Sequence, residues 1–122
     1  MPRKTRGESE AEFTREMIRI EKEFLGRGPH EVRTFFLNDM IIVRLRGILT
    51  PAETKLAESG EGRELIKDTR RKLFEFARPI IEKAALDILD CGVISMHTDI
   101  STLTGERIIV LTTDIDLDKK FQ

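Results

Sequence analysis

A single cysteine, Cys91, serves the whole chain. It excludes an internal disulfide framework and any multi-cysteine zinc or iron–sulfur site built from one copy, and it fits a reducing cytosol. No apolar run approaches the roughly 20 residues that span a bilayer. The basic N-terminus, Met1-Pro2-Arg3-Lys4-Thr5-Arg6-Gly7-Glu8, is followed by no apolar core of a signal peptide. The expectation is a cytoplasmic protein that is not exported and does not itself insert into a membrane. An excess of one charge is lacking too: 21 basic and 22 acidic side chains nearly cancel to a net charge of -1. No global field then draws the chain to a polyanion, and nucleic acid is not an expected partner. Asparagine and glutamine occur once each, as Asn38 and Gln122, against abundant Glu, Lys and Arg. Heat-adapted proteins share that bias, and a melting midpoint in the ordinary mesophile range would remove the suggestion.

What is present is enough for one core. A chain of 122 residues, 39% hydrophobic and 35% charged, is the size of one globular domain. Residues 9–116 are read as that domain, with a flexible basic tail over 1–8 and a frayed C-terminus over 117–122.

The clearest local signal is Val43-Arg44-Leu45-Arg46-Gly47-Ile48-Leu49-Thr50-Pro51-Ala52-Glu53, an apolar strand running into a capped helix. Thr50 and Glu53 form a capping box in which each side chain meets the other's backbone N–H, and Pro51 occupies a helical position that needs no donor. On this reading the box uses its polar groups on its own backbone. Upstream, Ser9 and Glu12 form a second box, and Phe13, Met17, Ile20 and Phe24 lie on one stripe of a helix that ends at Leu25 before Gly26 and Gly28-Pro29. Two β-rich runs, 31–37 and 40–49, flank Asn38-Asp39 as a hairpin.

After a short helix to Ser59, Gly60-Glu61-Gly62 reads as a break, followed by a long helix from Arg63 to Asp90. Its first half, including Arg70, reads as solvated. Its second half carries an apolar stripe wide enough for burial on two sides, and Pro79 predicts a kink near Arg78. Cys91-Gly92 ends that helix, and runs 93–100 and 107–115 form a last β pair. The order α-β-β-α-α-β-β specifies an α+β domain with a four-stranded, mainly antiparallel sheet and helices packed on one face.

Strand alternation sets the two faces of that sheet. Ile94, Met96 and Ile100 are expected to face the helices. Ser95, His97 and Asp99 point away, with Ile42, Arg44, Arg46, Ile48, Ile108 and Val110. Such a face is too apolar for open water and too polar for a core. It predicts a homodimer, formed there or through the first helix.

Candidate chemistry is sparse. His97 and Asp99 share a strand face and could be joined by Asp114 and Asp116 around a divalent metal, but no second histidine has ligand spacing, so neither metal nor other cofactor is expected. Cys91 sits at a helix C-terminus, where the dipole raises a thiol pKa, so a Cys91–His97 nucleophile pair is disfavoured. There is no Gly-x-Ser-x-Gly elbow, and His30 lies in a loop. The chain reads as a non-enzyme. A small anion such as phosphate or bicarbonate could meet Arg44 and Arg46 on the sheet face, or the helix start at Gly60, Gly62 and Arg63. Against the second place, paired glycines usually make a sharp turn, Glu61 would repel the anion, and the Lys-Ser/Thr ending of a phosphate loop is missing. The element order also resembles a type II KH module, but Gly60 and Gly62 are one residue apart where that module needs Gly-x-x-Gly.

Gly28-Pro29, the segment Val43 to Glu53, Leu56-Ala57, Gly60-Glu61-Gly62-Arg63, Thr98-Asp99 and the strand Ile108-Ile109-Val110-Leu111 together resemble the MpsC-like family, over about residues 12–114. The run Leu-Arg-Gly-Ile-Leu-Thr-Pro-Ala-Glu is its most specific part. The resemblance implies a small bacterial protein associated with a membrane-potential-generating, cation-coupled system linked to inorganic-carbon uptake, and it brings no catalytic residues. It points to an accessory or regulatory domain that contacts a membrane transport protein, with small-anion sensing as the alternative.

Overall fold

The computed structural model describes residues 4–25 and 28–122. Eight elements follow one another: α1 (Arg6–Leu25), β1 (Glu31–Leu37), β2 (Met40–Arg46), α2 (Pro51–Leu56), α3 (Gly60–Leu89), β3 (Val93–Ser101), β4 (Glu106–Thr113) and α4 (Leu117–Lys120). The α+β order stands, with a short helix added at the C-terminus. Gly26, expected to cap α1, lies outside the described residues.

α1 begins a turn earlier than Ser9-Glu12 implies. Thr5 Oγ1 accepts from Glu8 N at 3.1 Å and Glu8 Oε1 accepts from Thr5 N at 3.2 Å, so the reciprocal box is Thr5-Arg6-Gly7-Glu8. Ser9 is instead buried inside the helix. The expected tail shortens accordingly, because Arg6 donates to Phe36 O at 2.7 Å and to Asp118 Oδ1 at 2.8 Å.

The strands form one antiparallel sheet in the order β1-β2-β4-β3. Asn38 adopts φ 54° in the two-residue hairpin that pairs Leu37 with Met40. On the inner face the register brings Thr34 beside Val43, Val43 beside Ile109, and Ile109 beside Thr98; Phe36, Ile41, Leu111 and Met96 form the next row. α1 and α3 pack on this face and on each other. Phe13, Met17, Ile66 and Ile81 meet Ile41, Val43, Leu45 and Ile109 in the core. The apolar stripe of α3 is covered by α1 and the sheet together, while Leu65, Phe76 and Leu86 stay exposed. The helix is continuous through Pro79.

Three expectations about direction are overturned. Ile48 is 4% exposed and part of the core, not of the open face, because β2 stops at Arg46 and Gly47 takes φ 67°, which resets the alternation. A side chain at Gly47 would also meet the ring of His30 at 2.5 Å. Ile94 is 66% exposed instead of facing the helices, since a register shift between Val93 and Ser95 bulges β3 there. Arg70, read as solvated, is 1% exposed.

Ends differ as well. α3 includes Gly60, Glu61 and Gly62 as its first turn, with Ser59 as N-cap, and it closes on Asp90 in the left-handed conformation at φ 52°. The C-terminus, expected to fray, folds back: Leu117 is fully buried and Phe121 stacks on Phe36 with ring centres 5.8 Å apart. Asp116 caps α4 by accepting from Asp118 N and Lys119 N.

Candidate functional site

Two places concentrate groups that a folded core does not require. The first is the outer sheet face. Register places Phe35, Ile42, Val110 and His97 side by side across all four strands, with Arg33, Arg44, Ile108 and Asp99 in the adjacent row. Ile42, Ile108 and Val110 are half-buried by their neighbours, whereas Phe35 and Leu37 are 45% and 49% exposed. No element of the described chain covers this row. The flanking charges are engaged: Arg44 donates to Glu106 Oε2 at 2.8 Å, and Arg46 lies 3.8 Å from Glu106 and 3.9 Å from Glu31. His97 and Asp99 are exposed at the β3 edge, where Asp99 accepts from Ile100 N at 2.8 Å and lies 3.8 Å from Lys67 Nζ.

The second place is a buried charge cluster that the sequence reading missed. Arg70 of α3 donates to both carboxylate oxygens of Glu53, at 2.6 and 2.8 Å, and to Ile48 O at 2.8 Å. Glu53 still receives Thr50 N at 3.0 Å, so the capping box is also one half of a forked ion pair that ties α2 and the loop after β2 to α3. Burial alone would raise the Glu53 carboxyl, but the hydrogen bonds from Arg70 and Thr50 outweigh it and hold the group below its usual range. Beside this pair, Arg107 at the start of β4 lies over the ring of Phe74, 5.5 Å from its centre, and 3.9 Å from Glu21 of α1. Both ends of that second pair are more than nine-tenths buried. Burial pushes the Glu21 carboxyl up despite the attraction of Arg107, and pushes the Arg107 pKa down despite Glu21. Arg70 Nη1 and Arg107 Nε are buried with no hydrogen-bond partner among the described residues.

The sequence carries a periodic signal for these groups. Arg70 falls at i+4 between Ile66 and Phe74 on the buried stripe of α3, Glu21 is at i+4 from Met17, and Arg107 alternates inward with Ile109 and Leu111. Charge argued for the surface, and periodicity argued for the core. Periodicity prevailed because each charge has an opposite partner.

The remaining candidates separate. Gly60 and Gly62 open α3, but Gly62 N donates to Ser59 Oγ at 2.9 Å and Arg63 Nη1 donates to Ala57 O at 2.9 Å. Gly62 is there for space, since a side chain would meet Leu56 O at 1.8 Å. Asp114 accepts from Gly92 N at 2.9 Å, and Asp116 caps α4, beyond the strand end opposite His97. Among the described residues no group of three or more His, Cys, Asp or Glu side chains could hold a metal ion. Cys91 is buried, and desolvation, followed by the charge of Asp114, pushes its thiol up to about 11. A surface groove of about 570 Å³ between α3 and β3 has Lys67, Arg71, Thr98 and Asp99 in its walls, with charges of both signs. No helix among the described residues is long and apolar enough to cross a membrane.

The distinctive segment from Val43 to Glu53 thus has structural work at each end, the strand in the core and Glu53 on Arg70. The sequence profile described as "Na+-translocating membrane potential-generating system (MpsC)" matches residues 5–115, nearly the whole chain. The chain belongs to the MpsC family. Two proteins of Bacillus subtilis (strain 168) are similar to this MpsC-family chain. "Uncharacterized protein YbcI" is 42% identical over 120 residues, covering 98% of this chain and 97% of YbcI. "Uncharacterized protein YrhF" is 33% identical over 64 residues, about half of each chain (52% of both). No solved structure matches this MpsC-family chain.

Proposed function

We propose that this chain is a non-enzymatic accessory or regulatory module of a membrane-potential-generating system, working in the cytoplasm as a homodimer and contacting a membrane transport protein. The family's description supplies the association with such a system. The observation that carries the mode of action is the row Phe35, Ile42 and Val110, an apolar strip on the bare sheet face with charges at its margins. A surface of this kind suits docking, with aliphatics and an aromatic for contact and arginines at the rim for orientation. The MpsC description also makes membrane potential the property to measure.

The test is complementation. A host strain lacking the gene is restored with the wild-type chain or with Ile42→Glu, and membrane potential is read with a ratiometric dye, together with the light-scattering mass of each purified protein. The proposal expects a dimer and restored potential for the wild type, and lost restoration with a folded Ile42→Glu protein. A wild-type monomer would remove the homodimer. Full restoration by Ile42→Glu would overturn docking through this face.

Small-anion sensing at Arg44, Arg46 or the Gly60–Arg63 turn has less support, because Glu106, Ser59 and Ala57 already engage those groups. Bicarbonate or phosphate heat that vanishes in Arg44→Ala or Arg63→Ala would restore it.

A further inference from the structure

One edge of the sheet is occupied and the other is open. On β1, Phe36 turns its backbone outward, where its N–H donates to Glu10 Oε2 and its carbonyl accepts from Arg6. Backbone groups alternate in direction along an antiparallel ladder, so the register carries that phase across the molecule. Ile41 and Val43 bond toward Leu111 and Ile109, and Val110 and Ile108 bond toward His97 and Asp99. The N–H and C=O groups of Met96, Thr98 and Ile100 therefore point out of the sheet. Ile100 agrees with that phase, since its N–H donates to Asp99 Oδ1 at 2.8 Å. No other strand of the described chain pairs along this edge. The groove of about 570 Å³ beside α3 has Thr98, Asp99 and Ile100 in one wall, so the stretch is open to solvent.

We propose that β3 pairs antiparallel with β3 of a second copy about a two-fold axis at Thr98, joining the two four-stranded sheets into one. The inference rests on the homodimer proposed above and names its interface. Charge selects the register among those that set outward backbone groups against one another. An axis at His97 would bring the two imidazoles together, and an axis at Asp99 would bring the two carboxylates together. With the axis at Thr98, each exposed His97 lies opposite Asp99 of the second copy, twice over by symmetry. The imidazole has an N–H to donate in either protonation state. Met96, half-buried at the rim of the core, comes opposite Ile100 of the second copy. Thr98 pairs with Thr98, and Met96 with Ile100, through about six backbone hydrogen bonds. Asp99 gives up Ile100 N to Met96 O of the second copy and turns to the imidazole. Assembly stops at two copies, because Arg6 and Glu10 already fill the β1 edge. The outer faces of the two copies become continuous, and the row Phe35, Ile42 and Val110 stays free for a transport protein.

The experiment measures the dimer dissociation constant of the full chain by sedimentation equilibrium. His97→Asp sets two carboxylates opposite each other at both symmetric places and is expected to weaken the dimer roughly tenfold. The double variant His97→Asp/Asp99→Lys reverses the pair and is expected to restore it. The Asp99 side chain is 84% exposed, so these changes leave folding intact. Thr98→Pro, which removes an edge donor and no bond to β4, is expected to be a folded monomer by circular dichroism and mass. Register is read by mixing His97→Cys protein with Asp99→Cys protein under mild oxidation, since the two positions form a close pair across the axis. A covalent dimer is expected from the mixture and from neither protein alone. A covalent dimer from His97→Cys alone overturns the register. A wild-type dimer left unchanged by His97→Asp and by Thr98→Pro overturns pairing through β3 and leaves the homodimer standing. A wild-type monomer removes both.

Discussion

Glu21 and Arg70 carry opposite charges in the same core, and they behave differently because only Arg70 is hydrogen-bonded to its charged partner. Arg70 grips both oxygens of Glu53, whereas Glu21 faces Arg107 at 3.9 Å, beyond hydrogen-bond reach. Removing Arg70 strands a partly buried carboxylate and frees Ile48 O. Arg70→Met is therefore expected to lower stability by about 3 kcal/mol, checked by urea denaturation at pH 7. Glu21 carries a pH signature. Its folded pKa lies above the unfolded value, so the stability it contributes is present below the unfolded pKa and is lost as pH rises through the folded pKa. Glu53 has the opposite sign: its contribution is present above the unfolded pKa and disappears as pH falls through its lowered folded value. Glu21→Gln should abolish the stability loss on the rising-pH side while leaving the acid loss due to Glu53. Urea midpoints measured from pH 3 to pH 8 would show one slope removed and the other kept.

At the scale of elements, the turn between α2 and α3 depends on a close approach that one methyl group would prevent. Gly62 packs where a Cβ would lie 1.8 Å from Leu56 O, and backbone cannot yield as a flexible side chain can. Gly62→Ala should cost about 2 kcal/mol by overpacking, in spite of alanine's better helix propensity, and thermal melting would register it. Gly60, with only the end of Arg63 at 3.5 Å, offers the control: Gly60→Ala should be near neutral. Element boundaries were legible where a side chain could reach backbone locally, as at Thr50 and Glu53. They were misread where two equivalent signals competed. Thr5-Glu8 and Ser9-Glu12 have the same spacing, and the first prevails because starting at Arg6 lets the helix place Arg6 and Glu10 on the edge of β1, where Glu10 Oε2 accepts from Phe36 N at 2.8 Å. The C-terminal helix was illegible for a related reason. Four residues have little helical tendency of their own, and the buried Leu117 and the stacking of Phe121 on Phe36 hold them.

For the whole molecule, the question is which surface of the sheet is free. Strand alternation alone puts Ile42 and Ile48 on one face, and the fold sends them to opposite sides. Ile42→Glu is expected to change stability by no more than about 1 kcal/mol, while Ile48→Glu, which buries a charge in the core, should cost at least about 3 kcal/mol. Paired denaturation curves decide it, and the reverse ranking would contradict the assignment of faces. The two sheet edges also differ. Side chains of α1 occupy the β1 edge through Arg6 and Glu10, whereas β3 is the other outer strand and carries a bulge at Ile94. Most of the outer-face candidates were legible because strand alternation is local geometry: Ile42, Arg44, Arg46, His97, Asp99, Ile108 and Val110 lie where period two puts them. Ile48 and Ile94 fell outside that rule because a left-handed glycine and a bulge each reset the phase.

The sequence by itself determined the order of the first seven elements, the antiparallel sheet, the helix start at Thr50 and family membership, since these depend on contacts a few residues apart or on a pattern carried along the chain. Only the tertiary structure decided the buried charges. Arg70 and Glu53 are 17 residues apart and Glu21 and Arg107 still further, so no local rule pairs them. Their burial is tolerable only after α1, α2, α3 and β4 have met, when each charge finds its counterpart in place of water.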